Sequence, residues 1–361
     1  MLWLGGAAGP LPPDPLTATA PALDNGNDQA AMDSLDLISV SQKLMEGVRE
    51  RLKTTLPELD ARNLLLNATH TRTAPDVDGA YEIPAGVMTS AEYFDFLADS
   101  VTDTAVRAWR ARRPAGVSWA LGHAVIGYNR RASFADGRSV MYGPLARPDF
   151  LGFEGYEDHA LEMLFFWTPD RKLTGIGINV ACPAQALGRE RFVSADFWHD
   201  ARVELRRRYG DDLFVFPMIG AAGDQSPHVQ LRQAAEAKMR ERLGISVTGQ
   251  IARRIAQAVE EVYPAAAEFP MELHVIRLGD VALATNPFEL FLDFGLRMKA
   301  RSRAELTFVI QLACSEGDYL PTAKAVAGGG YGAEIASNLV GPEGGQVLVD
   351  RTVALINSLF E

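Results

Sequence analysis

The chain has 361 residues, of which 47% are hydrophobic and 22% charged, as is usual for a globular protein of one large α/β domain or two smaller ones. Its net charge of −11 disfavours nonspecific nucleic-acid binding and a polybasic lipid-binding patch, because both need a basic surface. The only two cysteines, Cys182 and Cys314, exclude a disulfide framework and a zinc finger. No apolar run reaches about 18 residues, so the sequence predicts no transmembrane helix.

The first residues of the chain do not predict a targeting segment. Residues 1–10 are mildly apolar, but they lack a positive amino-terminal region and a long hydrophobic core. We therefore expect no signal peptide and favour a cytoplasmic over an exported protein. Three prolines within 11–15 predict an irregular lead-in over 1–15. No internal repeat or low-complexity linker interrupts 16–361, which we expect to form a single domain.

Strand-like and helix-like segments alternate after residue 30. In chain order we predict a strand over 30–38, a helix over 40–53, a strand over 63–67 and a helix from the capping box at 89–92 to about 113. Strands follow over 117–128, 161–167 and 173–181, then a helix over 195–209 capped by Ser194 and a strand over 213–219. A long helical region spans 230–262. Strands over 271–276 and 281–285 flank a turn at Gly279, and a helix over 288–299, a strand over 306–313 and a helix over 345–359 complete the chain.

Helices that separate strands predict a layered α/β fold. Some neighbouring strands have connections too short for a crossover helix, so they must pair antiparallel. The sequence therefore predicts mixed β-sheets flanked by helices.

The turn after the strand at 213–219 is the most informative segment of the chain. It presents Asp224, Ser226 and His228 within five residues, after glycines that allow close approach of a ligand to the backbone. Catalytic groups of α/β enzymes usually lie at the carboxyl ends of strands. A serine needs a base or a metal to become nucleophilic, and His228 adjacent in sequence does not guarantee that geometry. The alternative interpretation is a polar cap on the following helix.

Two other polar strand ends contain candidate residues. His70 follows the strand over 63–67, and it is either a metal ligand or a hydrogen-bonded turn histidine. Arg130 follows the strand over 117–128, where a guanidinium can hold a carboxylate or an oxyanion. A surface ion pair is the alternative for the arginine.

Three further candidates have equally simple structural alternatives. Glu289 stands at a predicted strand-to-helix junction, as a metal ligand or as a first-turn glutamate favoured by the helix dipole. Tyr319 lies in a turn before the glycines at 328–330, and it either faces a site or packs. His199 and Asp196 are spaced i, i+3 on a predicted helix, which suits either a metal pair or a surface pair.

Taken together, these segments resemble the neutral (neutral/alkaline) ceramidase family. The matching segments occur in family order from about residue 15 to the end of the chain, and they are 34–37, 68–71, 129–130, 223–227, 287–289 and 319–322 with Tyr331. The family consists of zinc-dependent amidases that cleave the N-acyl bond of ceramide. The resemblance therefore implies an α/β hydrolase with a small-molecule or lipid-like amide substrate.

The resemblance also implies roles for individual residues. It implies that His70 and Glu289 bind one zinc ion, with Tyr319 close to the metal. Ser226 matches the active-site serine, within a segment that includes Asp224, and Arg130 matches an active-site arginine. Zinc would lower the pKa of a bound water and polarise the amide carbonyl. Ser226 would attack directly or orient that water.

The chain departs from the family pattern at the metal site. Arg72 replaces the second histidine of the usual Thr-His-Thr-His, and the segment over 179–183 lacks the family's second histidine ligand. Cys182, Asp196 or His199 could fill that position, since thiolate, carboxylate and imidazole all bind zinc. The family's C-terminal β-sandwich is also missing.

The sequence therefore predicts a zinc-dependent hydrolase that cleaves an amide bond, with a ceramide-like lipid as a candidate substrate. The two alternatives are a ceramidase-like binding protein without catalysis and a metal-independent serine hydrolase in which Arg72 replaces the charge of the metal. The oligomeric state is left open.

Overall fold

The computed structural model describes residues 14–77, 86–188, 190, 192–267, 271–334 and 337–361. The described residues belong to two compact units, one within Met1–Val262 and one within Tyr263–Glu361. Most of the expected lead-in, residues 1–13, lies outside the described residues. The expectation of a single domain over 16–361 stays a prediction.

The first unit combines several small sheets with long helices. Its strands are β1 (Ala18–Thr19), β2 (Ala22–Asp24), β3 (Gln29–Leu35), β4 (Leu64–Ala68), β5 (Gly116–His123), β6 (Tyr128–Asn129), β7 (Arg131–Phe134), β8 (Ser139–Met141), β9 (Phe150–Phe153), β10 (Ala160–Trp167), β11 (Leu173–Val180), β12 (Phe214–Ile219) and β13 (Gln225–Ser226). Its helices are α1 (Gln42–Thr55), α2 (Ser90–Arg110), α3 (Phe197–Tyr209), α4 (Gln233–Leu243) and α5 (Val247–Ala267). Helix α5 continues past residue 262, where the first unit ends.

Two four-stranded sheets form the framework of this unit. In one, β4 pairs parallel with β3, while β1 and β2 pair antiparallel with it. In the other, the order is β12-β11-β10-β5, with a parallel pair between β11 and β12 and antiparallel pairs elsewhere. Both sheets are mixed and are accompanied by helices, so the predicted layered α/β class is confirmed.

Helices α1 and α2 cover the first sheet. Leu44, Val48 and Leu52 recur at every fourth position of α1, so one face of this helix is buried in a core shared with α2. Gly47 allows the close approach, because a Cβ at this position would lie 3.1 Å from Cζ of Phe94. Thr89 forms the predicted capping box at the start of α2.

Two small sheets bring the polar strand ends together. β6 pairs antiparallel with β13, and their register sets Tyr128 opposite Ser226. β7 pairs with β8 and with β9 in a three-stranded sheet that starts directly after β6. The predicted strand over 117–128 was therefore too long: β5 ends at His123, and β6 is a separate strand.

The second unit has its own sheet and core. Its strands are β14 (Val275–Leu278), β15 (Val281–Thr285), β16 (Glu289–Leu290), β17 (Leu306–Ile310) and β18 (Tyr319–Leu320), and its helices are α6 (Leu292–Arg301), α7 (Ala323–Gly328) and α8 (Pro342–Ser358). β15 pairs antiparallel with β14 and parallel with β17, and β16 pairs parallel with β18. Phe288, Phe294 and Leu348 belong to its hydrophobic core.

Three predicted helix bounds were wrong for local reasons. The helical region over 230–262 is broken, because Gly244 takes a left-handed conformation that ends α4. The helix expected from 288 begins at Leu292, because residues 289–290 pair as a strand. Asp196 rather than Ser194 caps α3, and the Ser194 hydroxyl instead accepts a hydrogen bond from the Asp196 amide at 2.8 Å. None of the described helices is long and apolar enough to cross a membrane.

Candidate active site

Ser226 lies in the turn that follows the buried strand β12. Its side chain is 0% exposed, and β13 holds it against β6. The hydroxyl oxygen accepts a hydrogen bond from the Tyr142 hydroxyl at 3.0 Å and another from the backbone amide of His228 at 3.1 Å. The serine therefore sits in a fixed polar environment rather than on the surface.

A hydrogen-bonded chain connects Ser226 to Arg130 through Tyr142. Nη1 of Arg130 donates to the Tyr142 hydroxyl at 3.1 Å, and Nη2 donates to the carbonyl oxygen of Gly223 at 2.9 Å. Tyr142 adopts a positive φ of 54°, which is uncommon for a bulky residue. The structure thus brings together two predicted residues, Ser226 and Arg130, and adds a tyrosine between them.

Asp224 holds this arrangement in place through backbone and side-chain contacts. Its carboxylate accepts a hydrogen bond from Nδ2 of the buried Asn129 at 2.9 Å, and its carbonyl oxygen accepts one from the Arg130 amide at 2.9 Å. Gly155 lies against this pair, since a Cβ there would be 2.9 Å from Nδ2 of Asn129. Asp224 therefore positions Arg130 at the junction between β6 and β7, and its carboxylate is already engaged.

The main chain of His228 contacts Ser226, through the amide that donates to Oγ. The imidazole instead lies edge-on to the Tyr142 ring, with ring centroids 6.4 Å apart. The adjacency in sequence of Ser226 and His228 therefore does not produce a serine–imidazole pair.

A large cleft lies in front of this constellation. Its volume is about 1160 Å³, and Arg130, Tyr142 and His228 form part of its wall. Arg72, at the position where the ceramidase pattern has a histidine, lines the same cleft. Gln185 also reaches the wall, with Oε1 3.5 Å from Nη1 of Arg130. The cleft is thus lined by polar groups from four separate segments of the chain.

The loop that carries Gln185 is fixed by a buried carboxylate. Asp196 accepts hydrogen bonds from the amides of Ala186 at 3.0 Å, Leu187 at 2.7 Å and Phe197 at 2.8 Å. Burial nevertheless raises the pKa of Asp196 above its usual range. Its oxygens are committed to these amides, so it organises the loop beside Gln185.

Cys182 is buried close to the same region. Burial is the main cause that raises the thiol pKa well above its usual value, and the negative charge of Asp196 raises it further. Zinc binds thiolate and itself deprotonates a coordinating thiol, so this shift describes Cys182 without a metal. In that state Cys182 is a buried, protonated thiol.

His70 has a geometry that suits a metal ligand. It follows β4 with a positive φ of 61°, and Nδ1 lies 2.5 Å from the carbonyl oxygen of Ile38. If Nδ1 carries the proton in this contact, Nε2 keeps a free lone pair, which is the usual arrangement of a ligating histidine. His70 alone does not make a site.

His199 lies elsewhere, in the first turn of α3. Its imidazole is close enough to the carboxylate of Asp14 to act on it electrostatically. Burial is the dominant effect on that carboxylate and raises the Asp14 pKa. His199 is not among the residues that line the cleft.

These positions decide whether the first unit fits a zinc ion. As the described part of the chain is arranged, His70, Cys182 and His199 do not form a group of three donors close enough to share a metal. A closed or catalytic zinc site needs at least three such donors. These three residues therefore do not share one metal among themselves, and the predicted ligand set with Glu289 and the zinc dependence both stay predictions.

In the second unit, Glu289 and Tyr319 lie side by side. They occupy opposite positions in the register of β16 and β18. Hydrogen bonding to Glu289, with a smaller contribution from Tyr331, raises the pKa of the Tyr319 phenol above its usual value. The rings of Tyr319 and Tyr331 meet edge-on, with centroids 5.3 Å apart. The structure thus joins two residues that the sequence separates by thirty positions.

The second unit also contains the single group of three possible metal donors found among the described residues. Glu272, His274 and Cys314 are all exposed, and their donor atoms lie within 4.8 Å of one another. Nε2 of His274 is 2.6 Å from Oε1 of Glu272. None of these residues was predicted as a ligand.

Sequence reasoning missed Tyr142 and Gln185. Tyr142 follows the short strand β8, and the segment over 131–153 was not predicted to contain strands. Gln185 lies in a loop near the candidate Cys182 but has no pattern of its own. Only contacts between distant segments, 84 positions apart for Tyr142 and Ser226, bring them to the predicted residues.

Comparisons with known proteins agree on the fold. No family model matches the sequence, and no curated protein matches it. A crystal structure of neutral ceramidase from Pseudomonas aeruginosa is similar, with a TM-score of 0.51 and 16% identity over 92% of this chain and 67% of that one. A structure described as ceramidase complexed with C2 has a TM-score of 0.53 and 16% identity over 92% of this chain and 69% of that one. The resemblance predicted from the sequence is thus confirmed for the fold: the chain folds like the neutral ceramidases.

Proposed function

We propose that this chain is a hydrolase that cleaves an amide (N-acyl) bond, with Ser226 as the nucleophile. The observation that supports this proposal is the hydrogen-bonded chain from Ser226 through Tyr142 to Arg130 at the wall of the cleft. The ceramidase-like fold supports an amide as the bond and a ceramide-like lipid as one candidate substrate.

The proposed reaction assigns one task to each residue. Oγ of Ser226 forms a bond to the amide carbonyl carbon, and its proton moves to the Tyr142 oxygen as the phenol gives its own proton to the amide nitrogen. The Arg130 guanidinium donates to the same phenol oxygen and stabilises the negative charge that develops on that oxygen. The carbon–nitrogen bond then breaks and the amine leaves with this proton. Water next attacks the acyl carbon, and one of its protons returns to Oγ of Ser226 as the carboxylic acid is released.

Ser226 is fully buried, whereas the Tyr142 side chain is 44% exposed. A substrate carbonyl therefore reaches the serine only if Tyr142 shifts as the amide enters. Rotation of an exposed tyrosine side chain is a small and fast motion, so it need not limit turnover.

The test is hydrolysis of a panel of N-acyl amides, including ceramide, by the wild type and by Ser226→Ala. We expect turnover in the wild type and none in Ser226→Ala. Ser133→Ala is a matched control, since this hydroxyl pairs with Ser139 outside the cleft at 2.9 Å. Equal turnover in wild type and Ser226→Ala would refute the proposed nucleophile.

A second candidate function is ligand binding without catalysis. It is favoured by the full burial of Ser226 and by the failure of His70, Cys182 and His199 to converge. Tight binding of an N-acyl amide with no turnover would establish this alternative.

The zinc prediction has a separate test. Its measurement is metal content of purified protein, compared among wild type, His70→Ala and Cys314→Ser. Zinc lost in His70→Ala but kept in Cys314→Ser would support the ceramidase-like site. The reverse pattern would place the metal at the exposed group of Glu272, His274 and Cys314.

A further inference from the structure

Arg72 presents an uncompensated positive charge to the cleft. It lies on the cleft wall, and its Cβ and Cδ pass 3.7 and 3.8 Å from the position of a Cβ built on Gly188. No ion pair or hydrogen bond engages its guanidinium within the described part of the chain. Arg138, in contrast, is paired with Asp136 at 2.6 Å. An unpaired guanidinium in a cleft is available to an anion.

Within the described segments, the neighbouring donors on the wall also have no negatively charged partner. Arg130 donates only to neutral acceptors, namely Tyr142, Gln185 and the carbonyl of Gly223. Gln185 is 4% exposed, and its Nε2 has no partner among the described residues. Because Oε1 of this amide faces Arg130, the unused group is the NH₂, which can only donate. An unsatisfied buried donor is costly unless a ligand accepts from it.

The carboxylate on the cleft wall does not cancel these charges. Glu236 accepts a hydrogen bond from Gln250 at 2.9 Å and lies 3.7 Å from Arg254. Its charge is therefore already matched. The remaining wall includes apolar side chains, Met141, Leu145 and Val229 among them, which suit an acyl chain.

We propose that the cleft binds an amide that carries a carboxylate, of the N-acyl amino acid class, with Arg72 as the residue that binds the carboxylate. This inference rests on the proposed amide hydrolysis at Ser226. A guanidinium presents two parallel donors that match the planar carboxylate. In a chain of net charge −11, such a local cation is also needed to draw an anionic substrate into the cleft.

The test uses two substrates that differ only at the charged end, N-dodecanoylglycine and N-dodecanoylethanolamine. We expect a higher kcat/KM for the acylglycine in the wild type. In Arg72→Gln the ratio of the two kcat/KM values should fall by roughly ten- to a hundredfold, as expected for losing a charged hydrogen bond. Arg138→Gln is the matched control outside the cleft and should keep the wild-type ratio. A wild type that does not prefer the acylglycine, or an unchanged ratio in Arg72→Gln, overturns the inference.

A binding measurement separates this inference from the proposed function. Ser226→Ala holds both amides uncleaved, and calorimetry then compares their dissociation constants with and without Arg72→Gln. Tighter binding of the acylglycine that depends on Arg72 supports the inference even if the wild type cleaves neither amide, in which case only the hydrolase proposal fails. Equal binding of both amides overturns the inference even if both are cleaved.

Discussion

Replacing Tyr142 by phenylalanine removes one oxygen atom and tests the proposed reaction at its central contact. That oxygen is 3.0 Å from Oγ of Ser226 and 3.1 Å from Nη1 of Arg130. A positioned proton-transfer group is worth about 10²–10⁴-fold in rate, which corresponds to roughly 3–5 kcal/mol of transition-state stabilisation. The ring and its edge-on contact with His228 remain, so substrate access should not change.

The same substitution should hardly affect stability. The side chain is 44% exposed, so water replaces the lost hydrogen bonds and the free energy of unfolding should fall by less than about 1 kcal/mol. The assays are kcat/KM on the best N-acyl amide and urea unfolding. Tyr156→Phe is the matched control, because Tyr156 is almost fully exposed. A kcat/KM of Tyr142→Phe within about threefold of the wild type, or an equal loss in the control, would refute the reasoning.

Three further predictions concern stability and geometry. Arg202→Met should lower the free energy of unfolding, measured in urea, by about 3–5 kcal/mol. The reason is that it leaves the buried carboxylate of Asp36, which Arg202 contacts at 2.8 and 3.1 Å, without its charged partner. A loss below about 1 kcal/mol would contradict this. Burial raises the pKa of Asp33 to about 8, whereas the unfolded carboxyl ionises near pH 4, so stability should fall as pH rises from about 4 to 8. Asp33→Asn should lack this part of the slope in thermal unfolding; identical slopes would contradict the assignment. Gly155→Ala should lower kcat/KM by forcing a Cβ to within 2.9 Å of a side-chain nitrogen, whereas Gly223→Ala, where a Cβ meets nothing within 4 Å, should not.

The sequence alone determined the layered fold and the strand ends that carry the candidate site residues. Runs of apolar residues ending in small or polar residues identify β4 and β12, because a buried strand must be apolar and its connection must turn. Ser226 and His70 followed from these local patterns. The capping box at Thr89 was equally local and was confirmed in the structure.

The sequence did not decide the secondary structure where two interpretations share the same local pattern. A glycine within a helical stretch either is tolerated or ends the helix, and Gly244 ends it because its backbone turns left-handed. Glu289 looked like the first turn of a helix, but pairing with Tyr319 makes it part of a strand. Such pairing depends on segments far apart in the chain, which no local pattern contains.

Only the tertiary structure decided which residues meet. It set Tyr142 between Ser226 and Arg130, and it kept Cys182 and His199 from joining His70 in one group of donors. It also brought Arg72 into the same cleft as Arg130. The physical reason is that sequence patterns report burial and local backbone preference, whereas a site depends on distances between side chains that the packing of separate sheets and loops sets.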